Sequence, residues 1–197
     1  MNRREALKST SMILGVALSG STVAALMQSC GQSTSLKWTP QVLEKKQAQT
    51  LSAIVDRILP KTDTPGAVEV GVDEFIDKML SHVFPDEVKK GFMHGLDSFN
   101  QNAKDKFGED FIKSSPDQQD QLIREYEEKS EPLPGSMWGF SFGDPSSFPF
   151  YRMMKELALL GYFHSEKIGK EVLAYDPIPG PYQGCIPYGD VGKNWTE

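Results

Sequence analysis

The chain has 197 residues, with 21 Lys and Arg against 27 Asp and Glu, for a net charge of −6. Hydrophobic residues make up 39%, enough for one ordinary globular core at this length and too many for wholesale disorder. The acidic balance excludes a nucleic-acid binder, because phosphate neutralisation needs clustered Lys and Arg. Two cysteines exclude a disulfide-dense scaffold, a four-cysteine zinc site and an iron–sulfur ferredoxin. His82, His94 and His164 are widely spaced and form no HExxH, and the chain contains no CxxCH, GxGxxG or GxxxxGK[ST]. The residues therefore indicate no cofactor cradle, no metal set and no catalytic constellation in this chain.

The first thirty residues read as an address. Residues 2–8 are Asn-Arg-Arg-Glu-Ala-Leu-Lys, and the pair Arg3 and Arg4 before an apolar pair and Lys8 resembles a twin-arginine export signal. The apolar stretch from Ser11 to Met27 is short and rich in Gly, Ala and Ser, which fits a signal h-region better than a membrane-spanning helix. It ends Met27-Gln28-Ser29-Cys30-Gly31. A Cys after a small residue at this place resembles a bacterial lipoprotein cleavage site. Residues 1–29 are thus expected to be a cleaved signal, Cys30 the acylated residue and 30–38 a tether, which places the protein in the periplasm on a lipid anchor. The twin-arginine route carries proteins that have already folded. Such a signal therefore also suits a passenger that loads a bulky cofactor before export. With Cys30 acylated, Cys185 is left alone, either as a buried small hydrophobe or as half of a disulfide to another chain.

The mature part reads as a series of amphipathic helices. Thr39-Pro40 has the form of an N-cap and first helical residue, and the apolar positions that follow, Val42, Leu51, Ile54, Val55, Ile58 and Leu59, predict a helix ended by Pro60. Asp63 to Ala67 is a loop by its turn residues. Val72, Phe75, Ile76, Met79, Leu80 and Val83 recur at three- and four-residue spacing and predict a second helix over 72–83. Asp73, Glu74 and Asp77 near its start read as complements to the helix dipole. Pro85, with Asp86 and Glu87, opens a third helix whose stripe is Val88, Phe92, Leu96, Phe99, Ala103 and Phe107, with Gly108 as its stop. Ser115-Pro116 opens a fourth, with Gln119, Leu122, Ile123 and Tyr126 inward.

Residues 130–149 change character. Pro and Gly interrupt any regular element, while Met137, Trp138, Phe140, Phe142 and Phe148 demand burial, either on the chain's own helices or in an interface. A fifth helix follows over 149–163, with Phe150, Met153, Met154, Leu157 and Leu160 inward, and 165–173 has the form of a further short helix capped by Ser165. From Tyr175 to Glu197 the helical period is lost. Prolines and glycines forbid a helix or a central strand there, yet the segment is too aromatic for a plain linker. It either wraps its own domain or offers aromatic anchors to a partner, and the second reading is favoured. The expected fold is a mostly α, single small domain of about five helices with a long irregular Pro/Gly-rich C-terminal tail, spanning 39–197 and including the tail 175–197.

Several segments together resemble the gluconate 2-dehydrogenase subunit 3 family. They are Leu51-Ser-Ala-Ile-Val-Asp-Arg-Ile-Leu-Pro60, Thr64-Pro-Gly-Ala67, Val72-Asp-Glu-Phe-Ile-Asp77, Gly161-Tyr-Phe-His-Ser-Glu-Lys-Ile-Gly169, Leu173-Ala-Tyr175 and Pro179-Gly-Pro-Tyr-Gln-Gly-Cys185. The resemblance covers about residues 40–188, and His164 stands where the family pattern has Thr. It implies a small non-catalytic subunit that binds no cofactor itself. The implied partner is a large flavoprotein of the glucose–methanol–choline (GMC) type, holding FAD and oxidising sugars, sugar acids or polyols in the periplasm. A third subunit carrying haem c would receive the electrons. The small subunit would help fold, export and stabilise the flavoprotein. Trp138, Phe140, Tyr175, Pro181, Tyr182 and Cys185 are the expected interface residues. The competing expectation is a free-standing periplasmic lipoprotein that binds a surface glycan.

Overall fold

The computed structural model describes residues 36–130, 149–175, 180–181 and 185–195. Arg3, Arg4, Cys30, Trp138, Phe140 and Tyr182 lie outside the described residues. Among those described, five long helices form the domain: α1 Lys45–Ile58, α2 Val72–His82, α3 Asp86–Phe107, α4 Pro116–Lys129 and α5 Phe150–Phe163. No strand occurs among them, and the single β-type contact is an isolated bridge between Ala174 and Trp195. The mostly α fold with an irregular tail is as expected.

Helix α1 touches all four other long helices, and its predicted apolar face explains why. Leu51, Ile54 and Val55 are fully buried and meet Ile76 and Leu80 of α2, Leu96 and Phe99 of α3, and Met154 of α5 in one core. Phe99 is the aromatic centre. Its ring lies 4.9 Å from that of Phe111 and 4.7 Å from that of Tyr126, at separations where edge-on and tilted rings attract. Helix α5 approaches α3 at Gly95, where a Cβ would collide with the Phe150 ring.

Two helix starts behave as their caps predict. Ser115 accepts from the Gln118 N–H while the Gln118 side chain accepts from the Ser115 N–H at 2.8 Å, with Pro116 at the first helical position. Pro85 precedes Asp86 and Glu87, and Gly108 closes α3 in the left-handed region at φ 83°.

Three local expectations need correction. Helix α1 begins at Lys45 and not after Thr39-Pro40. The N–H groups of Gln41, Val42 and Leu43 are taken by the Asp77 carboxylate at 2.7, 3.3 and 3.0 Å, so these residues run as a strap over α2. Val83 is 60% exposed because α2 ends at His82, one residue before the stripe would have carried it inward. Residues 166–172 turn helical after Ser165 as expected, with the Gly169 N–H on the Ser165 carbonyl at 2.9 Å, but the Ser165 side chain is not their cap. Its hydroxyl donates to the Tyr162 carbonyl at 2.7 Å and closes the end of α5, while Ile168–Val172 forms a single wide π-type turn with Ile168 buried.

Candidate functional site

Three of the segments quoted above for the family resemblance, Thr64–Ala67, Val72–Asp77 and Gly161–Gly169, meet at one corner of the bundle, although up to 98 residues separate them in the chain. Gly161 leaves room for the Phe75 ring, since a Cβ there would stand 2.5 Å from the ring edge. The neighbouring Tyr162 is buried, and its hydroxyl donates to the Pro65 carbonyl at 2.8 Å. The Gly-Tyr-Phe and Thr-Pro-Gly-Ala segments are therefore two halves of one contact.

The carboxylates of α2 do more than complement a dipole. Asp77 is 1% exposed and accepts from the three strap N–H groups; Asp73 accepts from the Trp38 indole at 2.9 Å and from the Ser52 hydroxyl. Charge-assisted bonds of this kind are about twice as strong as neutral ones. Glu74 alone behaves as a surface residue, pairing with Lys78 at 2.7 Å.

A second polar knot joins α1, α3 and the Phe111–Lys113 turn. Asp110 accepts from the Asn100 amide at 2.6 Å, while Lys46 and Lys104 stand 3.1 and 3.3 Å away. The Asn100 bond, helped by both lysines, holds the Asp110 carboxyl at about 2, below the ordinary 3.8. Near the α4–α5 contact, burial and the adjacent Glu127 charge push the Tyr151 phenol well above its ordinary value, so it stays protonated and bonds Glu127. Both knots link helices at the partly exposed rim of the core.

The surface tells a different story. The exposed large hydrophobic side chains among the described residues are Val83, Phe163, Tyr175, Ile186, Tyr188 and Trp195, and four of these six fall within residues 175–195. Contrary to the expectation that Pro and Gly forbid a helix in the tail, Pro187 precedes a one-turn helix, α6 (Tyr188–Val191), which the left-handed Gly192 ends at φ 71°. The chain returns to the body where the Ala174 N–H donates to the Asn194 carbonyl at 2.7 Å, beside the bridge to Trp195. Asn194 and Trp195 are thus tied back to the end of the helical body.

Of the expected interface residues, Tyr175, Pro181 and Cys185 are described and all are exposed. Cys185 is exposed, so it is not the buried hydrophobe that was one of its two readings. Ile186, Tyr188 and Trp195 join this surface. They were passed over because a segment without a helical period has no stripe to single them out. Phe163 was passed over as the end of a core helix, although it falls off the inward stripe of Met153, Met154 and Leu157.

An open cleft of about 550 Å³ lies between Glu69–Gly71 and the Ser165–Glu171 turn. Its side chains are of mixed sign and pair locally, as in Lys170 with Glu166 at 2.7 Å. Among the described residues no group of three or more His, Cys, Asp and Glu gathers as a metal site, and no helix is long and apolar enough to cross a membrane.

The family model described as gluconate 2-dehydrogenase subunit 3 matches residues 45–180. This chain belongs to the gluconate 2-dehydrogenase subunit 3 family. The match runs from the first residue of α1 into the tail and takes in every helix of the bundle. Members of the family are subunits of a multi-subunit dehydrogenase, so this chain is the kind that works beside a catalytic partner. No curated protein and no solved structure matched the chain.

Proposed function

We propose that this subunit 3 protein is the non-catalytic small subunit of a periplasmic dehydrogenase, and that it binds, helps export and stabilises a GMC-type flavoprotein that holds FAD and oxidises sugars, sugar acids or polyols. The observation that carries the reading, beside family membership, is the crowding of exposed apolar side chains onto residues 175–195. A domain with its own filled core gains nothing from holding Tyr188 and Trp195 in water, and aromatic anchors of this kind dominate protein interfaces. The exposed thiol of Cys185 lies on the same stretch, where a disulfide to the partner would reinforce docking.

The rest of the proposal comes from the N-terminal residues. Arg3 and Arg4 direct export by the twin-arginine route, which carries the flavin-loaded partner across with this chain. Acylated Cys30 then holds the complex at the membrane, and electrons leave through a cytochrome subunit carrying haem c.

The test is a native pull-down of the tagged full chain from membranes of its own host, read by visible spectrum and non-reducing gel. A yellow flavoprotein in stoichiometric yield is the expected result, with a band that shifts on reduction if Cys185 is bonded to it. A colourless monomer overturns the subunit reading, and binding of surface glycan by that monomer would establish the lipoprotein alternative.

A further inference from the structure

The chain enters the bundle through the strap, and the strap is docked from its first residues. Leu36 and Trp38 pack against the apolar core. The Trp38 indole N–H donates to the Asp73 carboxylate at 2.9 Å, and the N–H groups of Gln41, Val42 and Leu43 reach Asp77 one turn further along α2. Asp73 is also held from α1 by the Ser52 hydroxyl. Both carboxylates are buried, so releasing the strap would strand them without these donors, which opposes release.

The strap runs parallel to α2, from Trp38 beside Asp73 to Leu43 beside Asp77. Leu36 therefore lies at the end of the bundle where α2 begins. The finish of α5 is at that end too, because Gly161 packs on Phe75 and the Tyr162 hydroxyl bonds the Pro65 carbonyl. The Ser165–Glu171 turn faces Glu69–Gly71 across the cleft there, and it leads into Ala174 and the aromatic tail. Val83, just past the last residue of α2, marks the opposite end, about 16 Å away along an 11-residue helix.

Residues 36–38 thus belong to the folded body and not to a tether that runs to 38. Residues 31–35 are all that separates Cys30 from Leu36. Even fully extended, that chain spans about 20 Å, little more than the length of α2.

We infer that the end of the bundle where α2 begins and α5 finishes is a membrane-facing surface, held against a lipid bilayer by acylated Cys30 through the docked strap. This rests on the lipid-anchor reading above and adds an orientation to it. The lipid chains act on Leu36, the strap passes that restraint to Asp73 and Asp77, and the short tether keeps the start of α2 toward the bilayer. The tail is rooted at the same end, so a catalytic subunit docked on it is kept close to the membrane.

The test uses the mature acylated chain, purified from membranes of its own host and bound to vesicles of phosphatidylethanolamine and phosphatidylglycerol. In a Cys185→Ser background, a donor dye is placed on Glu166→Cys, beside the start of α2, or on Val83→Cys at the opposite end; both positions are exposed. Energy transfer to an acceptor-labelled lipid is the readout. Transfer at least twofold greater from residue 166 than from residue 83 supports the orientation, provided that the difference is lost when a long Gly/Ser insert between Ser33 and Thr34 frees the body. A ratio below twofold, or a difference that survives the insert, overturns it while leaving the anchor reading intact. A wild-type chain that floats with the vesicles no better than Cys30→Ala overturns both.

Discussion

The helical bundle and the C-terminal tail spend their aromatic residues in opposite ways. In the bundle Phe92, Phe99 and Phe111 are at most 2% exposed; Phe99 meets Phe111, and Phe92 meets Phe150, edge to face. In the tail Tyr188 and Trp195 are 68% and 53% exposed. The difference follows from periodicity. An amphipathic helix collects its apolar groups on one stripe that neighbouring helices cover. A Pro- and Gly-rich loop has no such face, so its apolar groups are covered only by what docks on them. The end of α5 lies between these extremes, with Tyr162 buried against Pro65 and Phe163 46% exposed.

The sharpest way to break the comparison is to truncate one aromatic on each side of it. Phe99→Ala removes a ring from the middle of the core and is expected to cost about 3–5 kcal/mol of stability, lowering the melting temperature by roughly 10 °C for a domain of this size. Tyr188→Ala is expected to leave the melting temperature of the isolated subunit within about 2 °C, while reducing capture of the flavoprotein. A large loss of stability from Tyr188→Ala would show that the tail belongs to the core after all.

A smaller effect sharpens the role of the strap. Asp77→Ala leaves three N–H groups without their carboxylate and is expected to cost about 2 kcal/mol. Hydrogen exchange at Val42 and Leu43 should accelerate in this variant while Leu51 and Ile54 keep their protection. Uniform protection at Val42 and Leu43 would mean that the strap is held by packing alone. Tyr162→Phe removes the bond to Pro65 and is expected to cost about 1 kcal/mol, measurable by denaturant titration, with the loop at 60–64 becoming the preferred site of proteolysis.

The smallest effect is electrostatic. The Asp110 carboxyl is held at about 2 by Asn100, Lys46 and Lys104, below its unfolded value. The folded state therefore binds this proton less readily than the unfolded state. The stabilisation is complete above about pH 4 and is lost as the pH falls toward 2. Asp110 is partly open to water, so the contribution is modest, about 1 kcal/mol. Asp110→Asn should flatten that part of the acid-unfolding curve and leave neutral stability only slightly reduced. An unchanged acid limb would remove Asp110 from the account.

Much of the architecture was legible in the residues because it rests on local rules. Apolar spacing of three and four places α1 to α5, the Ser115-Pro116 cap and Gly108 mark helix ends, and Pro and Gly punctuate the tail. The candidate surface was half legible. Tyr175, Pro181 and Cys185 stand out by residue type in an aperiodic stretch, whereas the one sign at Phe163 is that it falls off the inward stripe of α5.

The sequence by itself determined the helices, the aperiodic aromatic tail and the segments that place the chain in its family. Tertiary structure alone decided where α1 starts, why Asp73 and Asp77 are buried, and what Gly161 and Tyr162 are for. Each of these depends on partners 21 to 97 residues away: Ser52 and Trp38 on Asp73, the strap on Asp77, Pro65 on Tyr162. Helical periodicity reports which side of a helix is apolar over one or two turns. It carries no information about which distant N–H a buried carboxylate meets, because that is settled only when the helices have packed.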